Sequence, residues 1–164
     1  MNKSLFSSDR PDWCTPQSLV DLLWEFGPVH LDPCSNGNST INALIEWTKA
    51  DDGLKPTWGC DGLVYVNPPY GREIRPWVEK CSAEAKAGAE IIGLFPSRTD
   101  SKWFQNNVLT CDLLLLWRGR LRFQGAPSSA PFPSVLAYWG RQPQRFQQVF
   151  GQHGVIVRPC RGEG

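Results

Sequence analysis

The chain has 164 residues, of which 41% are hydrophobic and 20% are charged. This length and composition exclude a disordered chain, and they leave no room for a catalytic domain beside a large recognition domain. The net charge of +1 by itself favours no class of ligand.

Apolar periodicity and turn residues predict alternating strands and helices, with no internal repeat. In chain order the first elements are a helix Gln17 to Phe26, a strand Val29 to Leu31, a weak helix Ile41 to Trp47, a strand Leu63 to Val66 and a helix Glu73 to Ala87. The later ones are a strand Ile91 to Phe95, a helix from Thr99 or Asp100 to Leu109, strands Leu113 to Trp117, Leu121 to Phe123 and Val135 to Trp139, and a helix Arg145 to Phe150. The order predicts an α/β fold with a mostly parallel sheet and a C-terminal antiparallel hairpin.

The N-terminal sequence and the cysteines bear on location and metal binding. The first residues, MNKSLFSSDRP, lack the apolar run of a signal peptide, and the longest apolar run, Leu113 to Trp117, is too short to cross a bilayer. We therefore expect a cytoplasmic protein with no membrane partner. The six cysteines include no Cys-x-x-Cys pair, so reduced thiols and no metal site are predicted.

Charge is unevenly distributed along the chain. Residues 117–164 contain seven arginines and one acid, whereas the preceding residues contain 10 Lys or Arg and 15 acids. The acidic part suits a cationic ligand and the basic part suits phosphates. The alternative is a dipolar surface that binds nothing.

Two unusual turns follow predicted strands, Asp32 to Gly37 and Asn67 to Tyr70. In parallel sheets, ligands bind beyond the carboxyl ends of the strands, so both turns are candidates for a binding site. The second turn, Asn-Pro-Pro-Tyr, is stiffer than a loop needs, because each proline fixes φ and removes a backbone donor. A functional reason for this turn is therefore favoured over a structural one.

The chemistry of that turn suits an exocyclic amine. The Asn67 side-chain oxygen and the Pro68 carbonyl are two neutral acceptors, and an amino group has two hydrogens to donate. Two acceptors on these hydrogens favour the pyramidal nitrogen that can attack an electrophilic carbon. Tyr70 is expected to be exposed and to offer a flat face for stacking, and a base in a duplex would first have to flip out.

Asn67 to Tyr70 matches the catalytic motif of S-adenosylmethionine-dependent amino-methyltransferases. The whole chain resembles the small phage-type DNA N6-adenine methyltransferases, the Dam-like family, from about residue 9 to 140. The other matching segments, in order, are Asp12 to Pro16, Leu31 to Cys34, Asp52 to Leu54, Leu94 to Asp100 with Trp103 and Phe104, and Gly119 to Phe123.

This resemblance implies a Rossmann-like methyltransferase fold, a single domain over residues 1–164 with an N-terminal arm at 1–14, and a phage-encoded enzyme. The implied catalytic residues are Asn67, Pro68, Pro69 and Tyr70. The implied contacts to S-adenosylmethionine are Trp13, Thr15 and Pro16 closing over it, Asp32, Pro33 and Cys34 near its methionine end, Asp52 near its adenosine, and Asn67. The turn after the first strand departs from the common pattern, with one glycine where many methyltransferases have two or three, and no ribose-binding acid is identifiable between residues 38 and 61.

Several of these residues have a plain structural interpretation as well. Thr15 and Pro16 form a complete helix start without any ligand. Asp32 is typical of a turn, and Asp52 beside Asp51 is typical of a solvated loop. Residues 98–100 resemble a capped helix start.

The basic segment 118–134 is the expected DNA-facing element, with Arg98, Arg118, Arg120 and Arg122 as contacts to double-stranded DNA. Arginines beside a strand are alternatively ordinary surface charges. Recognition of a target sequence is then short, relaxed or shared with a second subunit, and the oligomeric state stays open.

The expected reaction is direct methyl transfer to adenine N6, with the proton leaving to water because neutral Asn67 is no base. The same motif also serves enzymes that methylate RNA bases or protein glutamines. A binding module that kept the fold without turnover is the alternative from another class.

Overall fold

The computed structural model describes residues 13–160 and 162. The strands are β1 Val29–Asp32, β2 Ile45–Glu46, β3 Leu63–Val66, β4 Glu90–Pro96, β5 Leu113–Trp117, β6 Ser134–Trp139 and β7 Gly154–Val157. The helices are α1 Gln17–Phe26, α2 Ile74–Lys86, α3 Lys102–Asn106 and α4 Pro143–Phe150, with 3-10 turns at Val108–Thr110 and Gly151–His153. Within the described part of the chain, none of these helices is long and apolar enough to span a membrane. The predicted arm at 1–14 lies outside the described residues except for Trp13 and Cys14, and so does Asp12.

The seven strands form one sheet in the order β2-β1-β3-β4-β6-β5-β7. The pairs from β2 to β4 are parallel, and the pairs from β4 to β7 are antiparallel. Five strands, β1 to β5, therefore run in one direction, while β6 and β7 run against them. The prediction of a mostly parallel α/β sheet with an antiparallel C-terminal part is confirmed.

The central strands are the most deeply buried part of the molecule. Every residue of β3 and β6 is buried, and only the first residue of β4 is partly exposed. Such continuous apolar burial is typical of strands covered on both faces. Helix α1 buries Leu19, Val20, Leu23 and Phe26, and its Phe26 contacts the aromatic rings of α4.

The weakly patterned region was predicted incorrectly. No helix forms at residues 41–47; Ile45–Glu46 instead makes a short edge strand that pairs with β1. The predicted strand Leu121 to Phe123 is also absent. Its apolar side chains are buried, but they anchor a long connection between β5 and β6 rather than pairing with a neighbouring strand.

Helix starts differ from prediction as well. Pro16, not Thr15, is the N-cap of α1, and no side chain caps this helix. Helix α3 begins later than expected, because the Ser101 hydroxyl, rather than Thr99 or Asp100, accepts the hydrogen bond from Phe104 N (3.3 Å). The edge strand β7 was not predicted from the sequence.

One edge of the sheet collects the functional candidates. The carboxyl ends of β1 to β5 lie there, and β6 begins there because it runs in the opposite direction. The chain between β5 and β6, residues 118–133, therefore leaves and rejoins the sheet at this edge. The amide of Ser97, just after β4, donates to Pro133 O (2.8 Å) and ties the end of that connection to the sheet.

Candidate active site

Two cavities lie at the carboxyl edge of the sheet. The larger, about 720 Å³, is bordered by the turns after β1 and β3, and the smaller is about 340 Å³. Asn67, Pro68 and Pro69 border the larger cavity, Tyr70 borders the smaller, and Trp13 borders both. The Asn-Pro-Pro-Tyr turn thus lies between the two cavities.

Asp32 ends β1 and carries its carboxylate into the wall of the larger cavity. One oxygen accepts from Cys34 N (3.1 Å) and the other from the Ser39 hydroxyl (3.2 Å). Burial raises the pKa of Asp32 to about 6, and the charge of Glu46 raises it further against the effect of these hydrogen bonds. No salt bridge found within residues 13–160 includes Asp32. A buried carboxylate held only by neutral donors is suited to accept a cationic ligand.

The loop that carries Asp52 approaches the β1 turn very closely. A Cβ on Gly53 would lie 1.9 Å from Pro33 O, so only glycine fits there. The Trp58 indole nitrogen donates to Gly53 O (2.9 Å) and holds the loop in place. This approach brings Asp52 to the same cavity as Asp32, although Asp52 remains partly exposed and pairs with Lys55 (3.0 Å).

Asn67 follows β3, and the nitrogen of its side-chain amide is hydrogen-bonded whereas, as far as the structure describes the chain, the oxygen is not. Its Nδ2 donates to Trp13 O (2.6 Å) and to the Thr15 hydroxyl (3.1 Å). Its Oδ1 is buried and finds no hydrogen-bond donor among the described residues. An unsatisfied buried acceptor is costly, and such an atom in a cavity wall is suited to a ligand that brings a hydrogen.

Tyr70 is not the exposed aromatic that the sequence predicted. Its side chain is only 8% exposed, and its hydroxyl donates to Leu94 O (3.1 Å). The ring packs edge to face against Phe132 and Phe123, with centroid distances of 5.5 and 6.2 Å. Burial raises the pKa of this tyrosine, so the hydroxyl stays protonated and serves as an anchor. Its ring forms a wall of the smaller cavity instead of a surface platform.

Trp13 completes an aromatic cluster with Tyr70, Phe123 and Phe132. Its ring lies 5.1 Å from that of Phe123 and 5.8 Å from that of Phe132. Its indole nitrogen is buried and makes no hydrogen bond within the described part of the chain. The cluster joins the N-terminal segment to the β5–β6 connection across the site.

Most of the residues that the resemblance assigns to a cofactor border the larger cavity. They are Trp13, Thr15, Asp32, Pro33, Cys34, Asp52 and Asn67. Pro16, at the start of α1, does not border it. Thr15 is buried, and its hydroxyl forms hydrogen bonds with Tyr65 and Asn67, which explains why it does not cap the helix.

The four arginines predicted to contact DNA fall into two groups. Arg98 borders the smaller cavity. Arg118, Arg120 and Arg122 are exposed on the β5–β6 connection, where Arg122 also donates to Ala126 O (3.4 Å) and Pro127 O (3.5 Å).

Among the polar residues of the site that the sequence did not reveal are Tyr65 and Ser39. The Tyr65 hydroxyl lies 2.8 Å from the Thr15 hydroxyl in the buried interior. A hydroxyl within a predicted buried strand needs a partner, and Tyr65 stands two residues before Asn67, so this signal was available. Ser39 lies in the weakly patterned region, where nothing in the sequence distinguished it.

The chain is similar to proteins of known name. The model of a family described as DNA N-6-adenine-methyltransferase (Dam) matches residues 3–141. A protein of Escherichia phage T1 named DNA N-6-adenine-methyltransferase is 26% identical over 96 residues. The match covers 58% of this chain but 40% of the relative, so the chain spans less than half of that relative's length.

Proposed function

Because the chain belongs to the DNA N-6-adenine-methyltransferase (Dam) family, we propose that it transfers a methyl group from S-adenosylmethionine to the exocyclic amine of adenine in DNA. One observation carries the proposal beyond family membership. The Asn-Pro-Pro-Tyr turn lies between two cavities, with its acceptor residues bordering one and its aromatic ring bordering the other. A transfer between two substrates requires both to be held next to each other, and two neighbouring cavities provide a place for each.

The larger cavity suits S-adenosylmethionine in size and in charge. Its volume of about 720 Å³ lies within the usual range for small-molecule sites. The buried Asp32 carboxylate would accept the cationic ammonium of the methionine end, and Asp52 would meet the adenosine. When bound, the molecule supplies a methyl group on a positively charged sulfur. Trp13 and Thr15 would close the cavity, with Pro33 and Cys34 forming its floor.

Asn67 would act on the amine that receives the methyl group. Its Oδ1 accepts one amine hydrogen and the Pro68 carbonyl accepts the other, which localises the nitrogen lone pair for attack on the methyl carbon. The nitrogen–carbon bond forms as the carbon–sulfur bond breaks. Asn67 is neutral and takes no proton, so the surplus proton on the methylated nitrogen leaves to water.

The smaller cavity would hold the target base after it flips out of the duplex. Tyr70, Trp103 and Phe132 border it, and together they offer aromatic surface against which a base can pack. Arg98 and Asp100 also border this cavity and supply polar groups at its wall. Trp13 borders both cavities, so the amine of a base held there would lie close to the larger one.

The β5–β6 connection would face the DNA backbone. Its exposed Arg118, Arg120 and Arg122 lie at the same edge of the sheet as both cavities. We expect Arg118→Gln and Arg120→Gln each to reduce the slope of log affinity against log salt by about 1. Filter binding over a range of salt measures this, with Arg141→Gln as the matched control, because Arg141 is also exposed but follows β6 at the opposite edge of the sheet. Slopes equal to that of the unsubstituted protein would place the DNA elsewhere.

Transfer of a radiolabelled methyl group tests the proposed function directly. Unmethylated DNA, the same DNA already methylated at adenine, RNA and protein are offered in parallel, followed by nucleoside and amino-acid analysis. We expect label in N6-methyladenine of unmethylated DNA, and far less in the premethylated DNA. Label in RNA or in glutamine would identify RNA or protein, rather than DNA, as the substrate. Absence of both transfer and S-adenosylmethionine binding by calorimetry would instead indicate a non-catalytic module.

A further inference from the structure

The amide of Asn67 is held by a chain of buried hydrogen bonds that begins in the centre of the sheet. The Tyr65 hydroxyl lies 2.8 Å from the Thr15 hydroxyl, which in turn accepts from Asn67 Nδ2 at 3.1 Å. Trp13 O accepts the other Nδ2 hydrogen at 2.6 Å. We propose that Thr15 and Tyr65 are positioning residues that orient Asn67 for catalysis, an inference that rests on the proposed function.

The orientation follows from the chemistry of the partners. A backbone carbonyl oxygen can only accept, so the amino end of the Asn67 amide must face Trp13 O. Rotating the amide by half a turn would place Oδ1 against that carbonyl, with two acceptors in contact and no hydrogen between them. The Trp13 carbonyl therefore decides which end of the amide is left free, and that end is Oδ1.

Thr15 fixes the plane of the same amide. With one Nδ2 hydrogen directed to Trp13 O and the other to the Thr15 hydroxyl, the amide cannot turn about its last side-chain bond without losing a hydrogen bond. Thr15 is 4% exposed, so water does not readily replace the lost partner. Its hydroxyl makes no capping bond to α1 that would compete with the bond to Asn67.

Tyr65 connects this arrangement to the most rigid part of the fold. It lies in β3, paired with Ile92 of β4, and its side chain is 1% exposed. Its hydroxyl shares a hydrogen bond with that of Thr15, and burial raises the pKa of this tyrosine, which stays neutral. The side-chain amide of Asn67 is thus connected to strand β3 through the hydroxyl groups of Thr15 and Tyr65.

Residues 13–15 consequently have two tasks. Trp13 and Thr15 border the larger cavity, and the same two residues hold the amide of Asn67. Displacement of this segment would open the cavity and release the acceptor together. Asn67 can then orient the amine of the target adenine only when residues 13–15 are in the position seen here.

Exchange of the Thr15 hydroxyl tests the positioning role. We expect Thr15→Val to lower kcat about tenfold, while KM for DNA and Kd for S-adenosylmethionine change by less than about twofold. Thr15→Ser should recover most of the lost kcat, because it restores the hydroxyl. Thr110→Val is the matched control, since the Thr110 hydroxyl also lies in a hydrogen-bond network, with Ser82 Oγ, Asn107 O and Trp139 Nε1, but precedes β5 at the opposite edge of the sheet. Equal kcat in Thr15→Val and in the unsubstituted protein overturns the proposal.

Tyr65→Phe is the second variant, and it keeps the test open if Thr15→Val does not fold. Loss of this more distant hydroxyl should lower kcat about threefold, again with little change in KM. Tyr138→Phe is its control, because Tyr138 is another fully buried strand tyrosine whose hydroxyl bonds to Glu90 (2.6 Å) far from the cavities. An effect on KM alone in Tyr65→Phe would show a role in binding and contradict positioning.

A readout without turnover separates this inference from the proposed function. In nuclear magnetic resonance spectra, the Nδ2 hydrogens of Asn67 should exchange slowly with solvent, and exchange should accelerate in Thr15→Val but not in Thr110→Val. If the unsubstituted protein methylates nothing, the proposed function fails while slow exchange still supports the held amide. Rapid exchange in the unsubstituted protein refutes the held amide whatever its activity.

Discussion

The turns after β1 and β3 follow neighbouring parallel strands and border the same cavity, yet they present opposite chemistry. Asp32 brings a buried carboxylate whose two oxygens both accept hydrogen bonds from the protein. Asn67 brings a neutral amide whose donor end is bonded and whose acceptor end is free. A charge suits a ligand that is permanently cationic. A neutral acceptor suits a group that must be oriented without being deprotonated before it reacts.

The difference also appears in the stability of each turn. Burial raises the pKa of Asp32 to about 6, so keeping its charge at neutral pH opposes folding. Asn67 carries no charge, and its cost is one unsatisfied acceptor. Both costs are of the kind that functional sites keep, because a bound ligand removes them.

The largest expected effect comes from removing the Asn67 side chain in the turn after β3. Asn67→Ala removes the free acceptor, and we expect kcat to fall by about 10²-fold or more, with Kd for S-adenosylmethionine changed much less. Single-turnover methyl transfer and calorimetry measure the two quantities. Asn67→Asp sharpens the comparison because it places a carboxylate at both turns. Its activity should lie between those of the unsubstituted protein and Asn67→Ala, since it keeps an acceptor but loses both Nδ2 donors. Near-normal turnover in Asn67→Ala would refute the assigned role.

A smaller effect is expected from neutralising the β1 turn. Asp32→Asn preserves the shape and can keep the bond from Cys34 N, but it removes the charge. We expect Kd for S-adenosylmethionine at pH 7.5 to rise about tenfold, with kcat at saturation nearly unchanged. The difference between the two proteins should shrink below pH 6, where Asp32 of the unsubstituted protein takes up a proton. A loss of kcat without a change in Kd would reverse the division of labour between the turns.

Asp32→Asn should also raise the free energy of unfolding of the protein without ligand. Because the pKa of Asp32 is raised on folding from 3.8 to about 6, its favourable contribution is present below pH 4 and is lost as pH rises through 6. Asp32→Asn should therefore gain stability relative to the unsubstituted protein between pH 4 and 7, by up to about 3 kcal/mol. Urea unfolding at several pH values measures this gain. Parallel stability curves would show that Asp32 is not desolvated.

The sequence predicted the features that depend on local pattern. The apolar run of β3 and the stiff turn behind it were located correctly, as was the helix with Trp77 and Val78 on its buried face. Errors occurred where distant partners decide the outcome. Thr15 has a complete helix-start pattern, but its hydroxyl bonds to Tyr65 and Asn67, about fifty residues away in the chain. Tyr70 is buried by Phe123 and Phe132, whose positions no local pattern reveals.

The connection between β5 and β6 has a consequence for how the molecule can change. These strands are antiparallel neighbours that a two-residue turn could join, yet the chain spends residues 118–133 between them. Leu121, Phe123 and Phe132 fix the connection to the core, while Arg120 and Arg122 stand in solvent between the anchors. Substitutions at the exposed positions should therefore leave the sheet undisturbed. If this connection contacts DNA as proposed, changes of target sequence should accumulate at these positions, and exchanging them between relatives should alter the target.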